Sequence, residues 1–209
     1  MHRTLGSSIA ALLLIVLAAT AAMAQVPDPT NSSVGACFAV CPAGDLAFDV
    51  VVRDFAHNPV VGANVVISLK NRPAVNLCPT QEPGTAIGVS PTEGIAASRF
   101  TGLGGLASFH LRAGGLCPGA MIQVFADAVP MGTRAVGSTD QDGNLVVDAA
   151  DHALALAEVG GANPGSDLNC DHSVSAQDIA LLDAHLGHTC DSSTPALPRS
   201  WGRLKMLYW

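Results

Sequence analysis

The stretch Asp167-Leu168-Asn169-Cys170-Asp171-His172-Ser173-Val174-Ser175-Ala176-Gln177-Asp178 places oxygen-bearing side chains at positions one, three, five and twelve of a twelve-residue loop. This spacing suits calcium, a hard cation that takes about six to eight oxygen ligands. Asp167, Asn169 and Asp171 converge from one side, the Ser173 carbonyl contributes from the backbone, and Asp178 closes the shell. Val174 at position eight is expected to point away from the ion and pack. Ser175 at position nine acts on the ion directly, through water, or as a helix N-cap with Asp178 three residues on. Beyond it, Ile179, Leu181, Leu182, His185 and Leu186 follow helical spacing and stop at Gly187.

Twenty-seven residues upstream the pattern recurs as Asp140-Gln141-Asp142-Gly143-Asn144-Leu145-Val146-Val147-Asp148-Ala149-Ala150-Asp151. The expected ligands are Asp140, Asp142, Asn144, the Val146 carbonyl, Asp148 and Asp151, with Val147 as the apolar residue and a helix over 152–159. An alternative register puts Gly143 at the sixth position, but it opens on Ser138 and loses the closing carboxylate at Ala149. One acidic turn is most often a solvated loop. Two copies, each followed by an apolar helix, form an internal repeat and predict two Ca2+ sites.

Each copy has a loop and a following helix but no preceding helix. Over roughly 50 residues this resembles type I dockerin repeats, which carry EF-hand-like loops. The resemblance implies calcium binding and capture of a cohesin-like or other surface protein. It also suggests, by the company dockerins keep, an accessory role in polysaccharide degradation. Two departures stand out. The sixth loop position, usually Gly for its backbone freedom, is Leu145 in one copy and His172 in the other. Positions ten and eleven, where cellulosomal dockerins recognise their partner, are Ala149-Ala150 and Ala176-Gln177, with no Lys or Arg anywhere in 138–191. That departure counts against a cohesin.

Charge separates this segment from its neighbours. Residues 138–191 hold ten acids and no Lys or Arg, whereas 25–137 hold seven acids and six bases. A unit of about 50 residues buries too little apolar surface to offset its chain entropy comfortably, so metal or disulfide staples are expected. Removing calcium should then unfold it wholly or partly, because the converging carboxylates repel one another.

Residues 25–137 read as six or seven short strands. The segments 48–53, 64–70, 107–112 and 121–126 are rich in β-branched residues and separated by Gly, Pro and Asn. In the third, Ala107, Phe109 and Leu111 alternate with Ser108, His110 and Arg112, which makes one face apolar. The order of a strand, Asp54, Asn58-Pro59, Gly62, a second strand, then Thr101 through Gly-x-Ala-x-Phe at Phe109 resembles bacterial Ig-like and carboxypeptidase regulatory-like domains. It implies an antiparallel Ig-like β-sandwich serving as spacer, adhesion or presentation module. The expected fold class is therefore mainly β, a sandwich followed by a small α-helical dockerin-like module.

Sugar binding and cleavage find little support. Sugar platforms use Trp or Tyr rings, but every aromatic between residues 25 and 191 is Phe. Glycosidases need two carboxylates fixed across a cleft, and the acids of 25–137 form no such pair. His57 and His110 read as surface histidines, with no motif tying either to a nucleophilic Ser. No catalytic residue is assigned. A net charge of −7 and pI near 5.3 argue against nucleic acid, which needs basic clusters.

The chain opens with Arg3, an apolar run over 9–19 and Ala22-Met23-Ala24, the pattern of a signal peptide over 1–24 cleaved after Ala24. The run is shorter than the roughly 20 residues of a membrane span. Export predicts a secreted or cell-surface protein in an oxidising compartment, where disulfides are the default for Cys37, Cys41, Cys78, Cys117, Cys170 and Cys190. Zinc is the minority reading, because paired Cys-x-x-Cys knuckles are missing. Two separate domains, 25–137 and 138–191, would pair four cysteines in the first and Cys170 with Cys190 in the second. The tail 192–209 gathers Arg199, Arg203 and Lys205 with Trp201, Tyr208 and Trp209, and reads as a docking segment or a surface-attachment signal.

Overall fold

Alternation along one short strand sets the first layer. In β3 (Phe48–Val51) the Phe48 and Val50 side chains are buried while Asp49 between them is exposed. This strand pairs antiparallel with β1 (Ser33–Val34) on one edge and with β8 (Leu106–Phe109) on the other. Phe48 faces Phe109 and Val50 faces Ala107 across the ladder, so four buried residues share one side of the sheet. The computed structural model describes residues 26–69, 75–90, 94–115 and 121–191. The leader expected over 1–24, the tail 192–209 and Cys117 lie outside the described residues.

A second sheet has six strands. They are β2 (Phe38–Val40), β4 (Asn64–Ser68), β6 (Ala86–Ser90), β7 (Gly94–Phe100), β10 (Met121–Ala126) and β11 (Val129–Ser138), in the order β2-β11-β10-β4-β7-β6. Asp127 and Ala128, both at positive φ, join β10 to β11 by the two-residue turn whose twist matches that of a hairpin. A two-stranded ribbon of β5 (Asn76–Leu77) and β9 (Ala113–Gly114) completes the β part. Buried residues of the two larger sheets form one core that includes Phe38, Phe48, Ile67, Phe109, Ile122 and Val124. Phe38 and Phe48 meet edge to face at 5.1 Å between ring centroids and tie the layers together.

The protein is thus mainly β, with several sheets and, among the described residues, two α-helices. Two details depart from the sequence expectation. The six-stranded sheet is not purely antiparallel, because β2 runs parallel to β11. Strands also outnumber the six or seven expected. Of the eleven among the described residues, four are only two or three residues long, too short to display a period, and β11 is interrupted by Pro130 and Gly132. Of the phenylalanines, Phe38, Phe48 and Phe109 enter the core, whereas Phe55 and Phe100 are exposed.

Strand β11 leads directly into the acidic segment. Helices α1 (Ala149–Ala157) and α2 (Ala176–Asp183) pack through Ala155 and Leu182, together with Val147 just before α1, onto Cys41 and Ala43, with Leu46, Leu168 and Ile179 alongside. This second core is shared between the β part and the acidic segment. The disulfides follow the same packing and correct the expected pairing. Cys170 bonds to Cys37, and Cys190 bonds to Cys78, so both bridges run from the acidic segment to the β part. Pairing Cys170 with Cys190 presumed two segments that fold apart, and the shared core removes that premise.

Candidate functional site

Each acidic loop is organised by its own first and last carboxylates. In the first loop Asp140 accepts hydrogen bonds from the Gly143 and Leu145 amides at 2.8 Å each. Asp151 accepts from Gln141 at 2.6 Å, Asp142 at 3.1 Å and Asp148 at 2.8 Å. In the second, Asp167 accepts from Cys170 at 2.7 Å and His172 at 2.9 Å. Asp178 accepts from Leu168 at 2.9 Å, Asn169 at 3.1 Å and Ser175 at 2.9 Å. Shifting every number by 27 carries one set onto the other.

The backbone obeys the same shift. Gly143 and Cys170 at position four, and Leu145 and His172 at position six, all have positive φ, 79°, 64°, 66° and 70°. Positive φ is where glycine is favoured and a leucine is strained, so the loop shape is held against residue preference. Amides turned inward by these residues are the ones that Asp140 and Asp167 accept. Position eight is apolar and buried in both loops, at Val147 and Val174. Asp148 and Ser175 each cap a helix in a capping box with Asp151 and Asp178.

Three carboxylates meet in each loop. One oxygen each of Asp140, Asp142 and Asp151 lies within 4.8 Å of the others, and so does the set Asp167, Asp171 and Asp178. Like charges this close repel by about 1 kcal/mol per pair in water and by more where water is excluded. Burial pushes the Asp140 carboxyl up to about 6, against its hydrogen bonds from Leu145 and Gly143, and Asp151 and Asp142 add repulsion. Asp171 is held below the usual carboxylate range, first by the Ser173 hydroxyl and then by Asn169.

The remaining expected ligands take supporting places. Asn144 accepts from the Val146 amide at 2.7 Å, and Asn169 accepts from Asp171 at 3.0 Å. Ser173 donates to Asp171 through both its amide and its hydroxyl. Asp148 is not drawn into the carboxylate cluster; its side chain accepts from Ala150 at the start of α1. The first helix begins at Ala149, three residues before the expected start, because that cap is already in place.

The β part braces the first loop. Gly115 donates its amide to the Asp140 carbonyl at 2.8 Å, and Asn76 donates to the Gly143 carbonyl at 2.8 Å. Gly114 lies so close to Asp140 that a Cβ there would sit 1.9 Å from Oδ2. A third group of donors, Cys41, Asp45, His185 and His188, also converges within 4.8 Å. Sequence reasoning missed it, since its donors come in two pairs about 140 residues apart. The only local signal is the spacing His185-x-x-His188 at the end of the second repeat. Burial pushes the Cys41 thiol up to about 12.

Comparison with protein-family models, with curated proteins and with solved structures finds no match to this chain.

Proposed function

We propose that residues 138–191 form a dockerin-like calcium module with two Ca2+ sites, carried on an Ig-like β-sandwich. On this reading the protein is a secreted, non-catalytic calcium-binding protein that serves extracellular assembly or surface attachment. The observation that carries it is the pair of three-carboxylate clusters, set by one 27-residue repeat and braced by matching amide networks. Calcium supplies the positive charge that each cluster lacks in a segment without Lys or Arg. Two disulfides accord with an oxidising compartment, and no helix among the described residues is long and apolar enough to cross a membrane.

Attachment would use the exposed side of the two helices. Ala149, Ala150, Ala176 and Gln177, at loop positions ten and eleven, are all exposed, as are Leu154, Leu156, Val159 and Leu181. These offer exposed apolar side chains, beside the exposed Glu158 and Asp183, to a cohesin-like or other surface protein. A second reading is favoured by the disulfides and the shared core: calcium locks the acidic segment to the β part and recognises nothing itself.

Isothermal titration of the full chain tests calcium binding, with about two equivalents expected. A calcium-dependent pull-down from an extracellular fraction separates the two readings. Capture that EDTA abolishes supports attachment, and no capture in either condition supports the structural role. Absence of calcium heat rejects both.

A further inference from the structure

Cys41 and Asp45 follow β2, and His185 and His188 follow α2; the second core brings them together. Cys41 is wholly buried and His185 is 9% exposed. The His185 Nε2 atom lies 3.4 Å from Asp45 Oδ2, and His188 Nδ1 lies 3.3 Å from the same oxygen and 3.5 Å from Cys41 Sγ. A tetrahedral zinc site has bonds of about 2.0–2.1 Å to nitrogen or oxygen and about 2.3 Å to sulfur. Those bonds place nitrogen and oxygen ligands about 3.3–3.4 Å apart, and nitrogen and sulfur about 3.5–3.6 Å apart. The three separations match.

The ring tautomer agrees. His185 Nδ1 is 2.6 Å from the Leu181 carbonyl, which can only accept, so Nδ1 carries the proton. In the neutral ring, Nε2 then turns a lone pair on the Asp45 carboxylate. Two electron-pair donors facing each other at 3.4 Å repel unless a proton or a metal ion lies between them. A carbonyl holding the far nitrogen of a histidine is also the usual outer support of a metal ligand. Asp45 Oδ1 is buried and has no hydrogen-bond partner.

The histidines do not belong to the calcium pattern. Their equivalents in the first repeat, 27 residues earlier, are Glu158 and Gly161. Among the described residues Cys41 is also the cysteine without a disulfide, while Cys37, Cys78, Cys170 and Cys190 are bridged.

From this geometry we infer that Cys41 Sγ, an Asp45 oxygen, His185 Nε2 and His188 Nδ1 form a tetrahedral site for a divalent transition metal of the zinc class. Sulfur and imidazole suit zinc and are not calcium ligands. Four protein ligands leave no open position, so the site is structural. It would bolt the segment after β2 to the end of α2.

The full chain, saturated with calcium, is loaded with Zn2+ and dialysed against metal-free calcium buffer, and its zinc is then measured. One equivalent should remain. Co2+ in place of zinc should give tetrahedral d–d bands and a thiolate-to-cobalt charge-transfer band. Cys41→Ser should abolish the charge-transfer band, and His188→Gln, a partly exposed ligand less able to disturb folding, should weaken retention more than about tenfold. His152→Gln, at an exposed histidine paired with Asp183, should leave it unchanged. Loss of all zinc on dialysis, an octahedral cobalt spectrum, or full retention by His188→Gln would each overturn the assignment. Calcium is present throughout and its binding is read separately, so failure here leaves the calcium loops standing.

Discussion

Val147 and Val174 occupy equivalent places in the two repeats, and each is hydrogen-bonded to the chain that follows the other repeat's helix. Val147 donates to the His188 carbonyl at 2.9 Å and accepts from Gly187 at 2.8 Å, while Val174 donates to Gly161 and accepts from Gly160, both at 2.9 Å. The two loops are therefore built as a crossed pair, each resting on the far end of the other. Disordering one removes the support of its partner.

Coupling between the calcium sites follows from that crossing. Asp167→Ala removes the first ligand of the second loop and leaves the Cys170 and His172 amides without their acceptor. Calcium at the first loop should weaken as well, by about fivefold or more, corresponding to a coupling near the lower end of the usual 1–3 kcal/mol. Calorimetric titration of the variant checks it, and an unchanged first-loop affinity would speak against the crossed arrangement.

Leu145 holds a left-handed conformation that costs a non-glycine residue about 1–2 kcal/mol. Leu145→Gly should relieve most of it, with part returned as chain entropy. Calcium affinity of the first loop should rise by up to about fivefold, a gain of about 1 kcal/mol. His172→Gly should gain less, since histidine adopts this region more readily. Equal gains, or losses at both positions, would contradict the strain.

Gly114→Ala places a methyl group against an Asp140 carboxylate that two amides already hold. Overpacking of this kind costs about 1–3 kcal/mol, and the first loop should lose calcium affinity most, with a smaller loss passed to the second loop through the crossed pairing. Gly88→Ala, which meets nothing within 4 Å, is the control. Urea unfolding with and without calcium reads both effects.

The raised pKa of Asp140, about 6, gives a pH dependence with a definite sign. The folded chain holds this proton more tightly than the unfolded chain. Without calcium, Asp140 therefore contributes most to stability below its ordinary value near 3.8, and that contribution is lost as pH rises to about 6. Calcium requires the ionised carboxylate, so first-loop affinity should fall about tenfold per unit below about pH 6. Titrations at several pH values, with the second loop disabled by Asp178→Asn, measure it. A flat profile between about pH 4.5 and pH 6 would contradict the buried carboxylate.

The loops were legible in the sequence because their chemistry is local. Asp140 to Asp151 and Asp167 to Asp178 span twelve residues each, and the cap at Ser175 and the apolar Val147 and Val174 follow from the same spacing, whereas the cap at Asp148 was hidden because its carboxylate was expected on the ion. The alternation of Ala107 and Phe109 likewise marked its strand. The disulfides were not legible, because Cys37–Cys170 and Cys78–Cys190 depend on how the acidic segment packs onto the strands. Strand β11 was hidden by Pro130 and Gly132, which break its period and leave Met131 unpaired between the Pro130–Phe125 and Gly132–Val124 pairs, although the strand pairs on both sides of the irregularity. The cluster at Cys41 needs the second core to assemble it, and two short pairs of donors carry no spacing signal across the intervening chain.

Calcium binding by both loops is read most directly from a calcium titration of the full chain followed by backbone amide NMR. Two sets of shifts should saturate with about two ions, one over residues 141–150 and the other over 168–177, both reversed by chelator. Amide spectra that stay the same through millimolar calcium would contradict it.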